Sequence, residues 1–405
     1  VTTPVVVTGI GVTAPNGLGT DAYWAATLRG ESGIGPISRF DPAGYPVRLA
    51  GEVPDFVAED HIPNRLLPQT DHMTRLSLLA ARMALADAAV DPAELDEFGM
   101  GVVTASSSGG FEFGQREMAK LWSKGGQFVS AYQSFAWFYA VNTGQISIMH
   151  GLRGPASVLV ADQAGGLDAI AQARRYVRRG TDLVVTGGVD GALCPWGWVA
   201  QIAGGRLSSQ ADPRRAYLPF DVDASGFVPG EGGAILVVES AESARSRAAG
   251  TVYGEIAGYA ATFDPPVHSG RQPGLRRAIE LALADADLAA GDVDVVFADG
   301  YGVPDLDMAE AGAITAVFGV DGVPVVVPKA MTGRLYSGGA PLDVAAALLA
   351  IRDGVIPPAG YVSDVPRHYG MDLVIGKPRH VPVTAALVLA RGHGGFNSAM
   401  VVRAA

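Results

Sequence analysis

Gln163 stands where a reactive group is usually held. The stretch from Gly154 to Gly166 reads GPASVLVADQAGG and runs on into LDAIAQARRYVRRG. Ser157 to Ala161 is short, apolar and β-branched, and Leu167, Ile170, Ala171, Ala173 and Val177 recur near helical spacing. The pattern predicts a buried strand turning abruptly into a helix. Such an elbow exposes one side chain, and the helix N-terminus behind it favours negative charge. Here that side chain is an amide, which neither ionises nor attacks an acyl group as cysteine or serine does.

Other reactive groups offer less. Cys194 lies beside Pro195 and Trp196, away from any elbow, and reads as a buried, inert thiol. Ser106, Ser107 and Ser108 lack a G-x-S-x-G frame. His61, His72, His150, His268, His368, His380 and His393 show no metal-ligand spacing, so no metal is expected. Gly9 to Ala14, GIGVTA after a strand-like run, fits a nicotinamide-binding fingerprint in part. Pro15 and Asn16-Gly17 then favour a turn over the phosphate-binding helix such a site needs.

The elements that must hold these groups are those of a compact globular chain: 405 residues, 48% hydrophobic and 18% charged. A formal charge of -11 argues against nucleic acid and anionic membranes, which require basic patches. An acidic carrier would need a local cluster, for which Arg174, Arg175, Arg178 and Arg179 are the candidate, or a partner chain. A single cysteine suits a reducing cytoplasm, and no apolar run approaches bilayer-spanning length. Residues 30–68, rich in Pro, Gly and Asp, read as a surface excursion before a helix near Asp71.

That helix opens an internal repeat. ALADAAVDPAELDEFGMGVVTAS from Ala84 is echoed by ALADADLAAGDVDVVFADG from Ala282, and VLVADQAGG by VVVPKAMTGRLYSGG from Val325. Each half closes on a Gly-rich turn and a strand: Pro229 to Gly233 before AILVVE, and Gly392 to Gly395 before NSAMVVR after Phe396. Two βα halves, 1–250 and 251–405, joined near Glu239 to Gly250, imply a duplicated fold with chemistry where the halves meet.

The GPASVLVADQAGG elbow, the PKAMTGRLYSGGAPLD segment and the GHGGFNSA turn resemble β-ketoacyl synthases of the thiolase superfamily along the whole chain. The resemblance is closest to chain length factors, the ketosynthase beta subunits of iterative type II aromatic polyketide synthases. It implies an α/β fold layered α-β-α-β-α with two mixed five-stranded sheets. An active condensing enzyme has cysteine where Gln163 stands, and histidines where this chain has Asp299 and Arg334. Lys329 is retained, and the terminal turn departs at His393 and Phe396. Thiolate and enolate-stabilising N–H donors are therefore missing together. A buried Asp299 to Arg334 ion pair, joined by Lys329, is expected in their place.

The resemblance further implies a heterodimer with an active ketosynthase alpha subunit. The growing chain would be carried on a phosphopantetheinyl acyl carrier protein and the partner's cysteine, with no cofactor here and the carrier bound mainly through the partner. It places Phe111, Gly114 and Met118 along the product tunnel. Glycine and the flexible methionine imply a deep one, for a product of about ten acetate units rather than about eight. Without it, the stripe Phe111, Gly114, Met118, Trp122 reads as core at helical spacing. Tyr132, Phe135, Trp137, Phe138 and Tyr139 are a candidate partner interface, with core packing the alternative. The competing enzymatic reading is a malonyl-carrier-protein decarboxylase that stabilises the acetyl enolate through Gln163.

Overall fold

The computed structural model describes residues 3–405; the side chain of Val267 lies outside the described residues. Its framework is one strand pattern laid down twice. In the first half the spatial order is Ala156–Leu159, Met100–Ala105, Leu183–Asp190, Gly232–Ser240, Val5–Ala14. In the second it is Pro324–Val326, Val295–Phe297, Ala385–Arg391, Phe396–Arg403, Gly254–Phe263, with Asp372–Leu373 added outside. The first three strands of each series are parallel and the last two antiparallel. The expected five-stranded patterns are present, the second extended by Asp372–Leu373, and Val6 and Val7 pair with Glu255 and Gly254, so the two sheets are hydrogen-bonded into a continuous ribbon.

The duplication extends to local chemistry. Gly9 lies against the backbone of the helix His72–Asp87, where an added Cβ would stand 2.1 Å from the Ala84 carbonyl oxygen. Gly258 lies against Leu275–Asp285 in the same way, 2.2 Å from that of Ala282. Asp87 Oδ2 accepts the Ile10 N–H at 2.8 Å, and Asp285 Oδ2 the Tyr259 N–H at 2.9 Å. The glycines of GIGVTA thus serve strand-to-helix packing. The strand continues to Ala14 and turns into Gly17–Leu18, so the nicotinamide reading loses its phosphate-binding helix.

Five layers result. One core holds inward-facing residues of both sheets, such as Val5, Leu236, Phe297 and Val388, around the elbow helices Gly165–Arg178 and Gly339–Asp353. A second packs His72–Asp87 on the outer face of the first sheet, and a third packs Leu275–Asp285 on that of the second. The elbow helices meet closely at their starts, where a Cβ on Gly166 would fall 2.3 Å from Pro341 Cδ. Residues Gly339 to Ala350 are all buried, so GAPLDVAAALLA carries mostly small and aliphatic side chains and leaves Asp343 in need of a partner.

Three expectations change. The strand before Gln163, Ala156–Leu159, is not buried but forms the half-exposed end of the ribbon, with no strand on its outer edge among the described residues. Residues 30–68 are more than surface: Ile34–Pro36 pairs with Leu49–Gly51, and the Gly51 N–H donates to the Pro229 carbonyl at 2.9 Å. Arg174 is buried, bonding Asp285 and the Ala257 carbonyl oxygen, and so ties the elbow helix to the second half. It is unavailable to a carrier protein. No helix among the described residues is long and apolar enough to cross a membrane.

Candidate functional site

The elbow is strained in both halves. Asp162, before Gln163, takes φ 51°, and Tyr336, before Ser337, takes φ 52°, left-handed values uncommon outside glycine. The turn aims Gln163 inward, and it is only 5% exposed. With its amide oriented to satisfy both atoms, Nε2 donates to the Tyr336 carbonyl oxygen (3.0 Å) and Oε1 accepts from Arg334 Nε (3.3 Å). The side chain at the nucleophile position therefore spans the two elbows.

Arg334 is bound on every side. Its Nη1 lies 2.9 Å from Asp299 Oδ2 and its Nη2 3.3 Å from Asp299 Oδ1; Nη2 also donates to the Arg391 carbonyl at 3.2 Å. The guanidinium sits 4.0 Å from the Tyr301 ring centre. Burial alone would lower its pKa, but Asp299 and the neighbouring Tyr217 and Tyr301 hold it well above the usual value, so it stays charged. Asp299 is fixed from behind by Glu310, whose carboxylate accepts the N–H groups of Asp299 (2.7 Å) and Gly300 (3.0 Å). Burial, reinforced by Asp299, pushes Glu310 up to about 7.

The expected ion pair is thus present, without Lys329. Lys329 Nζ is bonded to Asp343, on the elbow helix Gly339–Asp353 of its own half, and lies 3.4 Å from the Ala298 carbonyl oxygen. Burial raises Asp343 to about 6 even against the pull of Lys329. Phe396 is also apart: it opens the last strand at 38% exposure and packs edge-on to Phe263 at 5.1 Å.

A cavity of about 320 Å³ opens beside this network, and its lining includes Gln163, Arg334, Tyr336, Tyr301 and His393 together with Ser107, Ser108 and Phe111. Asp299 and Lys329 do not reach it. Ser107 donates its N–H to buried Asp190 at 2.5 Å, an arrangement without a base for a serine nucleophile. Cys194 is buried, and burial raises its thiol to about 11, which leaves it inert.

The helix Phe111–Lys124 buries Phe113, Gly114 and Glu117, while Met118 is half-buried and Trp122 is 84% exposed. The core reading of its stripe does not hold. Gly114 faces two aromatics: a Cβ there would lie 3.4 Å from Trp196 and 3.6 Å from Trp137. Phe111 stacks on Trp196 with ring centres 4.8 Å apart. Tyr132, Trp137, Phe138 and Tyr139 are exposed and Phe135 is half-buried, so this run is surface. Sequence reasoning missed Trp196, Glu310 and Asp343. Only Asp343 carried a signal, as a lone charge in an apolar helix.

The β-ketoacyl synthase N-terminal domain matches residues 2–244 and its C-terminal domain residues 253–362. The chain belongs to the β-ketoacyl synthase family. Within it the chain falls in the ketosynthase beta, or chain length factor, group. It is 63% identical over 399 residues to the actinorhodin polyketide putative beta-ketoacyl synthase 2 of Streptomyces coelicolor, covering 98% of each chain. It is 62% identical over 401 residues to the tetracenomycin polyketide synthase ketoacyl synthase beta subunit of Streptomyces glaucescens, covering 99% of this chain and 98% of that one. Among solved structures, the ishigamide ketosynthase/chain length factor superposes with a TM-score of 0.90 at 27% identity over the full length of both chains. Gln163, Arg334 and Asp299 form one hydrogen-bonded unit.

Proposed function

We propose that this chain is the non-condensing subunit of a ketosynthase heterodimer, and that it shapes the tunnel setting chain length in aromatic polyketide synthesis. The observation that carries this reading is Gln163, at the nucleophile position, with both amide atoms spent on Arg334 and Tyr336. No thiolate is available, and the groups replacing the histidines neutralise each other. The decarboxylase reading is not favoured, because Gln163 is held by the Tyr336 carbonyl and Arg334, and Asp299 and Arg334 are committed to each other rather than to an enolate.

The surface supports a partner. Trp122, Trp137, Phe138, Tyr139 and Trp196 are all exposed, and the strand Ala156–Leu159 has no strand on its outer edge among the described residues. The beta-subunit name of the tetracenomycin relative agrees with this, as does a neighbour described as a type II PKS acyl-carrier protein in complex with its ketosynthase, at a TM-score of 0.89 and 27% identity. An active alpha subunit would supply the condensing cysteine and most of the carrier-protein contacts. Phe111, Gly114 and Met118 would line the tunnel, and the setting would be cytoplasmic. Native mass measurement of the chain, alone and co-expressed with a cysteine-bearing ketosynthase, tests the reading. A one-to-one complex is expected; a stable homo-oligomer that ignores the ketosynthase would overturn it.

A further inference from the structure

The helix Phe111–Lys124 is weakly held by packing, since only Phe113, Gly114 and Glu117 of its 14 residues are buried. Its start has no side-chain cap of its own, because Gly110 precedes it. Asp71, from the start of His72–Asp87, supplies one across space. Its Oδ1 accepts the Met73 N–H at 3.0 Å and its Oδ2 the Phe113 N–H at 2.7 Å, so one carboxylate, 3% exposed, caps two helices. Gly110 permits the approach: a Cβ there would stand 2.2 Å from the Ala136 carbonyl oxygen and 3.0 Å from Asp71 Cβ.

A second fastening lies beside the first. Arg39 bonds Glu112 in the helix's first turn, and its other terminal nitrogen is 3.6 Å from buried Glu231. Glu231 accepts the Val53 N–H at 3.2 Å and faces His72 Nε2 at 3.2 Å. It sits next to Gly230, whose N–H donates to the Arg334 carbonyl oxygen at 2.9 Å. The helix is therefore anchored by its first turn to the scaffold that carries the elbows.

We propose that Asp71 and the Arg39–Glu112 pair are positioning residues for product length: they fix the height and rotation of this helix, and hence how far Phe111 and Met118 project into the tunnel. The inference rests on the reading that the helix lines the tunnel. Neither fastening is among the tunnel residues, so loosening one blurs the tunnel's end and leaves its volume unchanged. The product profile then broadens, whereas a side chain added at Gly114 moves it to one shorter length.

The test is the product mass profile of the heterodimer carrying Asp71→Asn, Glu112→Gln, Arg39→Met or Gly114→Phe. Asp71→Asn and Glu112→Gln are expected to raise the minor lengths relative to the main one by about threefold, as one hydrogen bond is lost. Arg39→Met combined with Glu112→Gln should broaden the profile no further than Arg39→Met alone, because the two act as a pair. If Asp71→Asn abolishes the complex, Glu112→Gln carries the test, since its side chain is 40% exposed. A lower yield with an unchanged ratio of lengths, while Gly114→Phe still shortens the product, overturns the positioning role alone. An unchanged profile in all variants, Gly114→Phe included, overturns the tunnel reading as well.

Discussion

Arg334 and Asp299 meet in a two-pronged ion pair, Nη1 to Oδ2 at 2.9 Å and Nη2 to Oδ1 at 3.3 Å, with both side chains at most 1% exposed. Such a pair is costly to break from one side, because the remaining charge stays buried. Asp299→Asn keeps the shape and strands the guanidinium, and should lower unfolding free energy by about 3–5 kcal/mol. Urea unfolding measures this. Adding Arg334→Met to Asp299→Asn should recover part of the loss; a further drop of similar size would show that the other contacts of Arg334 matter more than the pair.

Restoring the thiol should not restore condensation. In Gln163→Cys the sulfur would sit on the strained elbow behind Asp162, but Arg334 remains committed to Asp299 and no imidazole replaces either of them. The isolated variant should form no β-ketoacyl product from acyl and malonyl carrier proteins. It should still react with iodoacetamide, since position 163 lines the cavity beside the elbow. Condensation by this single variant would show that the histidine positions are dispensable.

Gly114 is the position where added bulk should act most directly. A Cβ fits there, in ordinary contact with Trp196 and Trp137, but a phenylalanine ring must extend beyond them. In the heterodimer, Gly114→Phe should shift the dominant product to a shorter chain with little change in stability, read by mass spectrometry and thermal melting. A destabilised complex making the original product would place the ring in the protein interior instead.

Much of this was legible in the sequence because it rests on local signals. The elbow showed as a β-branched run passing into helical spacing, and the duplication as the ALADA and Gly-rich echoes. The partnership of Asp299 with Arg334 came instead from the family resemblance, which brings these two opposite charges to one place. What remained hidden depends on distance along the chain. Asp71 reaches Phe113, 42 positions further on, and Arg174 reaches Asp285, 111 positions further on. Gly9 and Gly11 imitate a phosphate-binding motif because close helix packing and phosphate approach both demand a missing Cβ. The strand Ala156–Leu159 is as apolar as an interior strand yet lies at an edge, as expected of a surface that a partner covers.

Buried Glu310 gives the site a pH dependence of definite sign. Burial and the Asp299 charge raise its pKa from 4.5 to about 7, so between these values the folded state binds more protons than the unfolded one. Its contribution is fully present below pH 4.5 and is lost as pH rises through about 7. Glu310→Gln cannot titrate and lacks this term. The stability advantage of the native chain over Glu310→Gln should therefore be largest near pH 5 and shrink towards pH 8. Because lowered groups such as His150 act in the opposite direction in both proteins, the difference between two melting series is the quantity to follow. A gap that widens as pH rises would mean that ionised Glu310, holding the N–H groups of Asp299 and Gly300, is the stabilising form, and that its pKa lies below the usual value.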